Sequence, residues 1–99
     1  MKKNFKVRKF QLELIEAYTS DPMIKKIIFE ILKKGPIISK TGFKTEQYLL
    51  SININDVDVI LDDLSNNLMR LGFNYNWELN NLGAKIEGII DILSNYSDD

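Results

Sequence analysis

Between Asn55 and Gly72 the apolar residues Val57, Ile60, Leu61, Leu64, Leu68 and Leu71 recur at steps of three and four. That spacing puts them on one stripe of an α-helix, and the stripe has to be covered by apolar surface from elsewhere in the chain. With 99 residues the chain builds one hydrophobic core, so residues 1–99 are read as a single domain with flexible ends over 1–5 and 96–99.

Breakers divide the remainder. Val7, Phe10, Leu14 and Tyr18 predict a first helix over residues 6–19. Ser20-Asp21-Pro22 ends it and starts a second, in which Ile24, Ile27, Ile28, Ile31 and Leu32 face inward until Gly35-Pro36, with Lys33 and Lys34 at the negative helix end. Residues 36–39 are β-branched and too short for a helix, which predicts an edge strand, and 40–43 form a loop. A short helix is expected from Lys44, with Tyr48, Leu49 and Ile52 inward, then a turn at 53–55 and a cap at Asn55 for the long helix. After Gly72 the period changes: Phe73, Tyr75, Trp77 and Leu79 alternate with polar residues, predicting a half-buried strand with Trp77 against the long helix. Asn80 or Asn81 caps a last helix carrying Leu82, Ile86, Ile89, Ile90 and Leu93 inward, followed by an acidic tail.

The composition removes whole classes of chemistry. The chain has no cysteine and no histidine, so disulfide frameworks, zinc fingers, thiol nucleophiles and His-based triads are excluded. Lys40-Thr41-Gly42 lacks the Ser-x-x-Lys partner of penicillin-recognising enzymes, and no Gly-rich phosphate loop occurs. Asp58 and Asp62, four residues apart, make too loose a pair for a hard cation. We expect no enzyme activity, no cofactor and no metal. No apolar run reaches a membrane span and no apolar stretch follows the basic N-terminus, so no membrane association and a cytoplasmic location are expected. Asn95-Tyr96-Ser97 matches a glycosylation sequon that the expected location leaves without meaning. Ten Asn residues argue against a hyperthermophilic source.

A formal charge of −1 conceals an asymmetry. Residues 1–44 hold eleven Lys or Arg against four acids, a net of +7, and residues 45–99 hold two against ten, a net of −8. Such a chain offers its basic half to nucleic acid or an acidic partner, or pairs its halves internally.

From Ile24 to Leu93 the expected order is helix, short strand, short helix, turn, long helix, strand, helix. Leu68 to Gly72, then Trp77-Glu78-Leu79-Asn80, then Leu82-Gly83 stand where winged-helix proteins close the third helix, run an aromatic strand and open the next helix. The chain resembles winged helix-turn-helix regulators of the MarR and PadR kinds, with Asn80 where that family often has Thr. The resemblance implies a mainly α fold with a minimal β element and flanking N- and C-terminal helices. It further implies a homodimer that binds double-stranded DNA in transcription regulation. The dimer is also expected from two apolar stripes, Val7, Phe10 and Leu14 with Ile86, Ile89, Ile90 and Leu93, that a small core leaves uncovered.

Two departures bear on function. Eight residues between Gly72 and Asn81 are too few for a full wing, and Asn74, Tyr75 and Asn76 replace its basic tip. The long helix, which would enter the major groove, presents Asp58, Asp62, Asp63, Ser65, Asn66 and Met69 outward, and carboxylates there oppose a polyanion. DNA contacts are therefore expected from Lys40, Thr41, Lys44 and Thr45 around the short helix and from a basic N-terminal arm of Lys2, Lys3, Lys6, Arg8 and Lys9. Gln47, Asn53, Ser65, Asn66 and Arg70 are polar candidates for base or phosphate contacts. The same sequence carries an alternative, a protein-interaction module whose Asp58, Asp62 and Asp63 engage a basic protein partner. A third reading is an unrelated small helical binding protein such as an immunity or anti-defence factor.

Overall fold

The computed structural model describes residues 2–95; the acidic tail and the sequon's Tyr96 and Ser97 lie outside them. The chain runs β1 (Lys2–Arg8), α1 (Lys9–Tyr18), α2 (Pro22–Lys34), β2 (Gln47–Asn53), α3 (Ile54–Leu71) and α4 (Asn81–Ser94). It is mainly helical, with β1 and β2 paired antiparallel as a two-stranded ribbon. The register sets Lys2 against Asn53 and Arg8 against Gln47.

The ribbon corrects the expected first helix and the short helix after Lys44, and residues 2–5 of the expected flexible end belong to β1. In β1, Phe5 and Val7 are buried while Lys2, Asn4, Lys6 and Arg8 are exposed; in β2, Leu50 and Ile52 are buried while Leu49 stays 46% exposed. Both segments therefore follow the two-residue rhythm of a half-buried strand. Each strand is the other's partner across some forty residues, a pairing that local periodicity does not report. The helix of the first segment starts only at Lys9, where Arg8 N–H donates to Gln11 Oε1 at 2.8 Å.

α2 follows expectation at both ends. Asp21 accepts from Met23 N–H at 2.8 Å, Pro22 occupies the first turn, and Gly35 leaves the helix at φ 95°, a conformation that favours glycine. Residues 36–46 form an irregular hairpin in place of an edge strand and a helix start. Ser39 N–H donates to Phe43 O at 2.8 Å and Thr45 N–H to Ile37 O at 2.9 Å, with a single bridge between Ile38 and Lys44. The loop over 40–43 is its tip, turned through Gly42 at φ 87°.

α3 keeps its stripe, with Val57, Ile60 and Leu64 fully buried, but begins at Ile54 behind Asn53 and not behind Asn55. Directly preceded by a strand, it has no short partner helix in front of it. The strand expected over 73–79 is instead a tight turn closed by one bridge between Phe73 and Leu79. A lone strand there would leave its backbone groups unpaired, and the turn satisfies them locally: Asn74 N–H donates to Glu78 O at 2.7 Å and Trp77 N–H to Asn74 O at 2.9 Å. Trp77, expected in the core, is 75% exposed and Tyr75 is 99% exposed.

Asn80 fastens this turn to the helices on both sides. Its Nδ2 donates to Leu71 O at 2.8 Å and its Oδ1 accepts from Gly83 N–H at 2.7 Å, capping α4. Leu12, Ile15, Ile24, Ile28, Val57, Ile60, Leu64, Ile86, Ile89 and Leu93 meet the inner face of the ribbon in one core. That core buries Ile86, Ile89 and Leu93 of the α4 stripe with Ile90 partly buried, and α1 turns Leu12 and Ile15 inward while Phe10 stays 41% exposed.

Candidate nucleic-acid interface

Strand alternation, once both strands are paired, assigns eight side chains to the outer face of the ribbon. β1 contributes Lys2, Asn4, Lys6 and Arg8; β2 contributes Gln47, Leu49, Ser51 and Asn53 directly across from them. The face thus holds three cations, three amides, a hydroxyl and one leucine, and no carboxylate. Seven residues of strand extend over about 23 Å. Its inner side, through Phe5, Val7, Leu50 and Ile52, sits on the helices.

The cations are poorly neutralised. Arg8 lies 3.8 Å from Glu46 at one end of the ribbon, with both side chains more than half exposed, a pair worth little in water. Next to that end, the 36–46 hairpin is tied to β2 by Ile37 N–H donating to Gln47 O at 2.7 Å. It carries Lys40 and Lys44, both exposed, together with Phe43, 74% exposed.

The expected DNA-binding residues divide into three groups. Lys2, Lys6, Arg8, Gln47 and Asn53 share the outer face, and Lys9 is exposed just after it, so the N-terminal "arm" is a strand. Lys40, Thr41, Lys44 and Thr45 belong to the hairpin and not to a short helix. Two hydroxyls there are engaged internally: Thr45 Oγ1 donates to Ile37 O at 2.7 Å, and Thr41 Oγ1 shares a 3.0 Å hydrogen bond with Ser39 Oγ. Ser65, Asn66 and Arg70 lie on α3, where Arg70 Nη2 donates to Asn67 Oδ1 at 3.0 Å. They do not join the ribbon face.

The acidic set also divides. Asp58 and Asp62 are exposed, but Asp63 is a structural tether: its Oδ2 accepts from Ser20 N–H at 2.9 Å and from Thr19 Oγ1 at 3.2 Å, holding the α1–α2 turn to α3. Of the three expected protein-binding carboxylates, Asp63 is thus the one already engaged within the chain. Among the described residues no group of three or more His, Cys, Asp or Glu could hold a metal ion, and no helix is long and apolar enough to cross a membrane.

Asn4, Leu49 and Ser51 were missed as members of the face. The signal was present as the alternation of Lys2, Asn4, Lys6 and Arg8 around Phe5 and Val7, but Val7 and Phe10 also fit a helical step. Comparison with protein-family models, curated proteins and solved structures gives no significant match.

Proposed function

We propose that this protein binds double-stranded DNA, non-enzymatically, through the outer face of the β1–β2 ribbon. One observation carries the reading: pairing two strands far apart in sequence gathers Lys2, Lys6 and Arg8 beside Asn4, Gln47 and Asn53 on a face without a carboxylate. The major groove of B-DNA, about 12 Å wide, admits a two-stranded ribbon as readily as a helix. The lysines and the guanidinium on such a ribbon meet phosphates, and the amides have the donors and acceptors that base edges require. Lys40 and Lys44 extend the positive surface from the adjoining hairpin. A role in transcription regulation is the biological setting this reading fits. It does not depend on a winged-helix topology, and it does not require α3 to enter the groove.

The test is fluorescence anisotropy of a labelled duplex of mixed sequence at about 50 mM salt. The wild-type chain should bind, and Lys6→Glu with Arg8→Glu should abolish binding while the far-ultraviolet spectrum stays unchanged. Wild-type affinity retained by that double variant, or no binding by the wild type, overturns the reading. The alternative of an acidic protein-binding helix loses Asp63 to the tether and gains no observation in its favour.

A further inference from the structure

The open edge of the ribbon offers backbone groups that the DNA reading does not use, although the groove beside it shares Lys2, Leu49, Ser51 and Asn53 with the outer face. In an antiparallel strand successive residues direct their N–H and C=O groups to opposite sides. Gln47 directs both away from β1, accepting from Ile37 N–H at 2.7 Å and donating to Thr45 Oγ1 at 3.2 Å. By the same alternation the backbone groups of Leu49 and Ser51 also point away from β1. Among the described residues no backbone hydrogen bond from outside the ribbon reaches either of them. The chain's own third-strand pairing stops at Ile37, because Gly35, the next residue in register, gives its N–H to Ile31 O at 3.1 Å as the end of α2.

Beyond that stop the edge opens into a groove of about 650 Å³, walled by Ile27 and Ile31 of α2 and by Pro36 and Ile38, with Leu49 and Ser51 along its floor. Its charged lining, Lys2 and Lys34 with Glu30 and Asp56, sums to zero. The groove therefore exerts no net pull on a polyanion and suits an uncharged occupant. The two ribbon edges also differ. β1 carries Lys2, Lys3, Lys6 and Arg8, the kind of charge that keeps a sheet edge from pairing, whereas all seven residues of β2 are uncharged.

We infer that the β2 edge docks an extended, uncharged peptide segment of a partner protein as a third strand. Main-chain hydrogen bonds form to Leu49 and Ser51, and alternate apolar side chains of the segment enter between Ile27, Ile31 and Ile38.

Hydrogen exchange of the full chain with the blocked peptide acetyl-Thr-Val-Thr-Val-Thr-amide, which has high strand propensity, tests this. Exchange at the Leu49 and Ser51 amides should slow by about tenfold or more at saturating peptide. A peptide N-methylated at alternate residues should have no effect. Ser51→Pro removes an N–H that faces the groove and not β1, and Leu49→Lys places a charge on the edge while leaving the backbone intact; each should abolish the protection. Unchanged exchange at both amides, equal protection by the N-methylated peptide, or protection surviving in Leu49→Lys would overturn the proposal. Protection already present in the free protein and rising with its concentration would also overturn it, by assigning the edge to a second copy.

Discussion

Trp77 shows how one residue can satisfy a pattern and defy the packing it implies. It sits at φ 65° with its indole mostly in solvent, touching Phe73 in a tilted arrangement with ring centroids 6.3 Å apart. An L-residue in that region is disfavoured by about 1–2 kcal/mol, and Asn tolerates it better. Trp77→Asn should therefore be neutral or stabilising by up to about 1 kcal/mol in denaturant unfolding, whereas removing a core tryptophan costs about 3–5 kcal/mol. Asp63 and its neighbour Asp62 form a second matched comparison. Asp63→Ala removes the acceptor for Ser20 N–H and Thr19 Oγ1 and should cost about 1–2 kcal/mol. Asp62→Ala, on the exposed side, should change stability by less than about 0.5 kcal/mol. Equal effects would remove the tether. Gly83 is constrained by space and not by its torsion: a Cβ there would meet the Gly72 carbonyl oxygen, backbone that cannot swing aside. Gly83→Ala should destabilise by about 1–3 kcal/mol, and an unchanged melting midpoint would contradict the close α3–α4 approach.

At the scale of elements, the helices read from periodicity and capping were legible because their signals are local. Asp21-Pro22 starts α2, Gly35 ends it, the 57–68 stripe defines α3, and Asn80 caps α4. The ribbon was not legible, because each strand is stabilised by a partner that no local window contains. Residues 44–52 hold apolar residues that satisfy a helical step as well as an alternating one, and only pairing with β1 decides between them. Two leucines discriminate the outcomes: Leu50 is fully buried and Leu49 is not. Leu50→Ala should cost about 2–5 kcal/mol and Leu49→Ala less than about 0.5 kcal/mol. The reverse order would restore the helix, in which Leu49 faces inward. The candidate site was legible only as scattered members, Lys2, Lys6, Arg8, Gln47 and Asn53, whose common face depends on the same unseen pairing.

Over the whole molecule, the charge asymmetry of the sequence becomes a spatial one. The positive half supplies β1 and most of the 36–46 hairpin, and the negative half supplies the uncharged β2 and α3 with Asp58 and Asp62 exposed. If α3 lay in the DNA groove, neutralising its carboxylates would strengthen binding strongly. With DNA on the ribbon instead, the double substitution Asp58→Asn and Asp62→Asn should alter affinity by less than about threefold at physiological salt, where charges beyond about 8 Å are screened. The most direct measurement is the slope of log affinity against log salt for a labelled duplex. Contacts by Lys2, Lys6 and Arg8 give a slope of about −3, at roughly −0.9 per phosphate, and Lys6→Ala should reduce its magnitude by about one. A slope near zero, or one that Lys6→Ala leaves unchanged, would contradict the ribbon as the DNA-binding face.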